Sequence, residues 1–285
     1  MSEQPTVDFV VVGHVCHDLL PGGELGLGGS VSYAATTAQR LGYRVGVVTS
    51  AGPDLDVARA LPGVEVVCHR SAATTLFENV YSDGSRRQIL HQRADMLTCE
   101  HIPEAWRRAP MAYLGSIDQE LAPSVFDCFA DNVLIGVMPQ GFFRQWDDQG
   151  RVSFVEWNPP EAVLRLINLL VISELDVPDP GELVKNWGRS VEIMVVTHAE
   201  RGATVYRAGI PRHFAARPAQ EVDPTGAGDV FTSAFLIRLF ETGDPWQAAP
   251  FANCVASLSV EGPGVAGIPL RQRVESVQSA DLRGP

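Results

Sequence analysis

Short apolar, β-branched runs recur along the chain, and stretches with helical spacing separate most of them. Residues 7–13 (VDFVVVG) form one such run and end in glycine, the pattern of a strand buried on both faces. Residues 30–41 are rich in alanine and predict a helix, with Gly42 as its stop. Residues 45–50 predict a second strand, and residues 54–61 a short helix closed by Pro62. Further strands are expected at 111–114, 133–137, 169–172 and 193–197. Strands alternating with helices need crossover connections, so the expected architecture is a mostly parallel sheet covered on both faces. One segment departs from this rhythm. Residues 74–81 and 86–90 flank Ser82-Asp83-Gly84-Ser85, which reads as a hairpin with an Asp-Gly turn. Two strands without an intervening helix do not suit a parallel sheet. A small antiparallel flap is expected instead, with residues 18–27 as a candidate further strand. No repeat, low-complexity tract or long linker divides residues 1–285, which read as one α/β domain carrying a β appendage at about 15–28 and 74–92.

Composition narrows the class of protein. Of 285 residues, 45% are hydrophobic and 20% charged, proportions of a globular enzyme rather than a disordered chain. The net charge of −12 argues against a nucleic-acid backbone as partner, yet a few local groups suffice to hold a nucleotide. Lys185 is the sole lysine, so a mechanism needing a phosphate-binding lysine has one candidate. The five cysteines lie far apart with no CxxC pair, which fits a reducing cytosol. The apolar run near the N-terminus is too short for a signal peptide or a span, so a cytoplasmic protein with no membrane partner is expected.

The segment Glu221-Val222-Asp223-Pro224-Thr225-Gly226-Ala227-Gly228-Asp229 precedes an apolar helical run at 230–240. Proline and two glycines permit a tight turn, and the first helical turn then presents unpaired N–H groups to an anion. Transfer of a γ-phosphoryl group to an alcohol needs such positive polarity, and an acceptor for the hydroxyl proton. Asp229 is placed to be that acceptor; it could equally serve as a helix-terminal carboxylate. Dinucleotide and Walker-type loops are disfavoured. The glycines at 22–29 lack GxGxxG spacing, and no GxxxxGK[ST] occurs. His14, Cys16 and His17 invite a zinc reading, but strand alternation splits them between two faces. Arg86 and Arg87, after the hairpin turn, could reach over a substrate or simply face solvent.

The stretch Asp223-Pro-Thr-Gly-Ala-Gly-Asp229 resembles, at every position, the C-terminal signature of the ribokinase-like (PfkB) family of sugar and nucleoside kinases. Gly13, Asp18 and Gly28-Gly29 resemble that family's N-terminal substrate-binding region. Val196 to Gly202 is similar to its nucleotide-binding strand and turn, and Ala252-Asn253 with Pro263-Gly264 to its adenine side. The resemblance, spanning about residues 7–270, implies a three-layer α/β/α sandwich with a small β lid. It implies Asp229 as the base, with the amides of Gly226, Ala227 and Gly228 as an anion hole. Asp18, Gly28, Gly29, Gln140 and Arg144 would face the acceptor, and Thr197, Gly202, Thr225, Asn253 and Gly264 the nucleotide. The implied cofactors are ATP and Mg²⁺, with monovalent-cation activation open, and the implied assembly is a monomer or a homodimer. Cys16-His17-Asp18, Leu27 to Tyr33 and Thr74 to Phe77 are further similar to the myo-inositol kinase branch. The favoured acceptor is therefore a sugar or cyclitol, with a nucleoside or ribose kinase and a non-catalytic member of the fold as alternatives.

Three positions depart from the family pattern. Ser173-Glu174-Leu175-Asp176 stands where an Asn-x-x-Glu motif organises Mg²⁺, leaving Asp176 or Glu174 as indirect metal groups. Ala199 replaces a glycine of the nucleotide turn. Met138 replaces an acid ahead of Gln140-Gly141 and Arg144.

Overall fold

The computed structural model describes residues 6–82 and 85–281, so the expected Asp83-Gly84 turn and residues 1–5 lie outside it. The elements run β1 (Phe9–Val12), β2 (Cys16–Leu19), β3 (Leu25–Gly28), α1 (Ser30–Arg40), β4 (Val45–Ala51), α2 (Val57–Ala60), β5 (Glu65–Arg70), β6 (Thr75–Ser82) and β7 (Ser85–Gln92). After these come β8 (Met111–Gly115), β9 (Leu134–Met138), β10 (Arg144–Trp146), β11 (Val152–Phe154), α3 (Glu161–Leu164), β12 (Leu169–Ser173) and α4 (Pro180–Trp187). The chain finishes with β13 (Ile193–Thr197), β14 (Ala203–Arg207), β15 (Ile210–Phe214), α5 (Ala227–Thr242), α6 (Pro245–Ser259) and α7 (Arg271–Asp281).

The large sheet has the order β15-β14-β13-β12-β9-β8-β1-β4-β5. Strands β13 to β5 are parallel, and β14 and β15 add an antiparallel edge that the sequence did not announce. Alternation sorts the core: Phe9 and Val11 join α1, α5 and α6 on one face, while Val10 and Val12 meet Trp106, Phe126 and Trp187 on the other. The expected three layers are present. The second face is less helical than predicted, because 3₁₀ turns at Glu104–Arg108 and Pro123–Val125 stand where a crossover helix was expected. Pro103, Pro110 and Pro123 break the hydrogen-bond ladder a longer helix would need there. The helix expected at 54–61 likewise shrinks to α2, because Asp56 caps it by accepting the Arg59 amide at 3.1 Å.

The hairpin forms as expected and belongs to a four-stranded sheet of order β3-β2-β6-β7. The single strand expected at 18–27 is instead two antiparallel strands, β2 and β3, because Gly22 and Gly23 take positive φ and turn the chain back. β2 also pairs in parallel with β6. From β1 the large sheet grows one way through β4 and β5, and the other way through β8, β9, β12 and β13. That order reverses at the carboxyl ends of β1 and β8, the place where open α/β sheets hold their ligands. α5 is apolar on nearly all sides, as befits a helix packed between sheet and helices, and its N-terminus points into this region. Among the described residues no helix is long and apolar enough to cross a membrane.

Candidate active site

Gly226 caps α5 in the left-handed region at φ 74°, and a Cβ there would lie 2.2 Å from the Tyr33 ring. At Gly228 a Cβ would lie 2.5 Å from Met138 Cε. The glycines therefore serve close packing of the turn on Tyr33 and Met138 as well as its dihedral angles. Asp223 latches the turn from outside, its Oδ1 accepting the Thr225 amide and its Oδ2 the Gly264 amide, each at 2.9 Å. Burial opposes ionisation of Asp223, but these contacts hold its carboxyl below the usual value. The Ala227 amide closes the turn on the Pro224 carbonyl at a long 3.2 Å.

Asp229 follows in the first turn of α5, only 8% exposed. Burial pushes its pKa up to about 6; Tyr113 and Ser30 pull against that rise, Asp176 adds to it, and Arg144 opposes it. The Tyr113 hydroxyl donates to Asp229 Oδ1 at 2.5 Å from the fully buried strand β8. In MAYLG the tyrosine reads as core, and only its hydroxyl in an otherwise apolar run could have signalled a partner.

On the side of the small sheet, a Cβ at Gly28 would lie 2.1 Å from Asp18 Oδ2, so the Asp18 carboxylate lies directly over that glycine. Gly29, at φ 90°, lets the chain approach the His14 carbonyl. Arg144 donates to the Ile117 carbonyl at 3.0 Å and sits over the Phe77 ring of β6, 5.7 Å from its centroid. Gln140 donates to Asp176 Oδ1 at 3.2 Å, and Asp176 Oδ2 accepts the Ser173 amide at 2.9 Å. Glu174 turns elsewhere. Its oxygens meet His198 at 2.8 Å and Arg201, which hold its carboxyl below the usual range. The shorter carboxylate at 176 is thus the one whose charge reaches Asp229.

Thr197 ends β13, its carbonyl accepting the Glu174 amide at 3.0 Å. Ala199 adopts φ 49°, the left-handed conformation that glycine would take without strain. Gly202 and Asn253 converge on one segment. A Cβ at Gly202 would lie 2.1 Å from the Phe214 carbonyl, and Asn253 donates to the carbonyls of Phe214 and Ala215 at 2.9 and 3.1 Å.

Two groupings fall outside the expected site. His14, Cys16 and His17 turn to different partners: His17 lies 3.2 Å from Asp54, and Cys16 packs with Phe77, Leu90 and Ile117. His14 instead joins Asp118 and Glu120, all three fully buried, in a network that the sequence did not disclose. His14 Nδ1 lies 3.2 Å from Asp118 Oδ1, and its Nε2 donates to the Asp95 carbonyl at 2.9 Å. Thr75 of β6 contacts both His14 and Asp118, at 3.0 and 3.2 Å. Glu120 accepts the His14 amide at 3.1 Å and the Ser116 hydroxyl at 2.8 Å. Burial works against the charge on His14, but Asp118, with Glu120 and the Asp95 carbonyl, outweighs it and raises the imidazole pKa. Burial likewise opposes ionisation of Asp118, yet His14 and Arg93 hold that carboxyl low.

Residues 173–272 match the family described as pfkB family carbohydrate kinase. The chain is 29% identical to the cytidine kinase of Thermococcus kodakarensis over 255 residues, covering 81% of this chain and 87% of that protein. It is 27% identical to the inositol 3-kinase of Zea mays over 289 residues, covering 92% of this chain and 74% of that one. Among solved structures it is similar to a pyrophosphate-dependent kinase in the ribokinase family complexed with a pyrophosphate analog and myo-inositol. That match has a TM-score of 0.78 and 25% identity, covering 94% of this chain and 99% of the other. With the order of strands, the small sheet and the glycine turn before Asp229, these likenesses give the chain the ribokinase-like fold and the pfkB family carbohydrate kinase signature over residues 173–272, and indicate a phosphotransferase with a hydroxyl group as acceptor.

Proposed function

We propose that the protein transfers the γ-phosphoryl group of ATP to a hydroxyl of a sugar or cyclitol, with a myo-inositol-like acceptor favoured. The observation that carries the reading is the buried Asp229 carboxylate at the N-terminus of α5, with a pKa lifted to about 6. A general base works best when its pKa lies near the operating pH, and this one is poised just below neutrality. Asp229 takes the hydroxyl proton as the acceptor oxygen bonds to the γ-phosphorus and the bond to the β-phosphate oxygen breaks, leaving ADP. The amides of Gly226 and Gly228 point the positive end of α5 at the transferring oxygens, and Ala227 joins them by giving up its long bond to Pro224. Asp18, backed by Gly28 and Gly29, accepts hydroxyl hydrogen bonds from the acceptor, with Gln140 and Arg144 on its other side. Thr197, Gly202, Thr225, Asn253 and Gly264 form the donor wall. The small sheet acts as a lid that excludes water.

Mg²⁺ would be held through Asp176, whose charge reaches Asp229 and whose oxygens meet the neutral amides of Gln140 and Ser173, in preference to Glu174, which is paired with His198 and Arg201. When bound it supplies charge neutralisation on the phosphates. The similarity to a cytidine kinase keeps a nucleoside acceptor as the second reading, and that to a pyrophosphate-dependent kinase bears on the donor. The test is product formation from myo-inositol, ribose, fructose, cytidine and adenosine with Mg-ATP and with pyrophosphate as separate donors. Asp229→Asn is run alongside and is expected to lower turnover by about 10²–10⁴-fold. Turnover within twofold of the parent protein would remove Asp229 from the role of base.

A further inference from the structure

A buried carboxylate that must accept a proton from one direction needs its other lone pairs engaged, or it rotates and presents the wrong oxygen. The Tyr113 hydroxyl has one hydrogen and two acceptors beside it, Asp229 Oδ1 at 2.5 Å and Met138 Sδ at 3.7 Å, while the Ser30 hydroxyl is a neighbouring donor to both the phenol and Asp229. A thioether is a weak acceptor and carries no proton, so the hydrogen goes to the carboxylate in a short bond typical of a charged acceptor. The phenol is itself held. Tyr113 is fully buried in β8, and a Cβ at Gly115 would fall 2.4 Å from its Cε1 and 2.8 Å from Ser30 Cβ. Glycine at 115 is what lets the ring, Ser30 and Asp229 share this space. Burial and the Asp229 charge both push the phenol pKa far up, so it stays a donor throughout the working pH range.

We propose that Tyr113 is the positioning residue for Asp229, binding Oδ1 so that Oδ2 is presented to the acceptor hydroxyl. The proposal rests on the reading of Asp229 as the base. Because the bond favours the ionised carboxylate, it opposes the rise that burial causes and keeps the base charged at neutral pH. A hydroxyl that served only the packing of β8 would leave both the titration of Asp229 and kcat alone.

The experiment is Tyr113→Phe, which keeps the ring against Gly115 and removes one oxygen. Two readouts are taken: the pH profiles of kcat and kcat/KM, and a carbon-13 NMR titration of the Asp229 carboxyl, assigned by its absence in Asp229→Asn. The expected result is a roughly tenfold fall in kcat, KM values within about twofold, and both the acidic limb and the NMR midpoint moved to higher pH. An unmoved midpoint overturns the proposal, whatever happens to the rate. A moved midpoint with unchanged kcat overturns the positioning role while the base stands. If Asp229→Asn keeps its turnover, the base reading itself fails and Tyr113 falls with it; the first two outcomes leave that reading intact.

Discussion

Burial works against the ionised form of Asp229 that a base needs. Its pKa of about 6 against an ordinary 3.8 corresponds to about 3 kcal/mol held against ionisation in the fold. The sign follows from linkage: a raised carboxyl favours folding fully below the unfolded value, and that advantage is lost as pH rises through the folded value. Ionised Asp229 therefore costs stability above about pH 6. Asn has no charge to bury, so Asp229→Asn should raise the unfolding free energy at pH 8 by up to about 3 kcal/mol, with the gap closing towards pH 4. Urea unfolding at the two pH values checks this, and a variant no more stable at pH 8 than the parent would show that Asp229 carries no such strain.

At the scale of the element, the site depends on how α5 begins. Its N-cap is left-handed, its turn is pressed on Tyr33, and Asp223 ties it to Gly264 beyond α6. Gly226→Ala adds both an unfavourable φ and a clash with a buried ring, on the order of 1–3 kcal/mol from the backbone alone. Relief requires the turn to shift, and a shift of about 1 Å at a reacting centre costs roughly 10²-fold in rate. The expected outcome is a folded protein of lower thermal midpoint with kcat reduced about 10²-fold, read by calorimetry and steady-state kinetics. Unaltered kcat would mean that the amides of this turn do not touch the transferring group.

At the scale of the molecule, the two sheets must stay in register with each other, and the His14–Asp118 pair fastens them. Thr75 of the small sheet, Asp95 beyond β7, and the loops after β1 and β8 all meet at this point. Removing one member of a buried pair leaves an uncompensated charge at a cost of about 3–5 kcal/mol. Asp118→Ala should therefore lower the unfolding free energy by about that amount in denaturant titration; a loss below about 1 kcal/mol would deny the pair its fastening role. The imidazole pKa is raised, so the stability it contributes is full below the ordinary histidine value and declines as pH rises through the folded one. The difference between the parent and His14→Gln should shrink accordingly on the alkaline side.

The strands of the parallel sheet were legible because their apolar runs are local: each of residues 9–12 is buried, and continuous runs of that kind need no knowledge of the neighbours. Asp223 to Asp229 was legible for the same reason, since proline, glycines and acid in one short segment determine the turn and the start of α5. Alternation with helices even anticipated the layers. What the chain could not reveal by itself are contacts between segments far apart in sequence. Tyr113 reaches Asp229 across 116 positions, and His14 reaches Glu120 across 106, through side chains that locally read as core. The committed partners of Glu174 and Asn253 are of the same kind. A hydrogen bond of one buried side chain to another depends on which strands lie side by side, and the tertiary structure alone decides that.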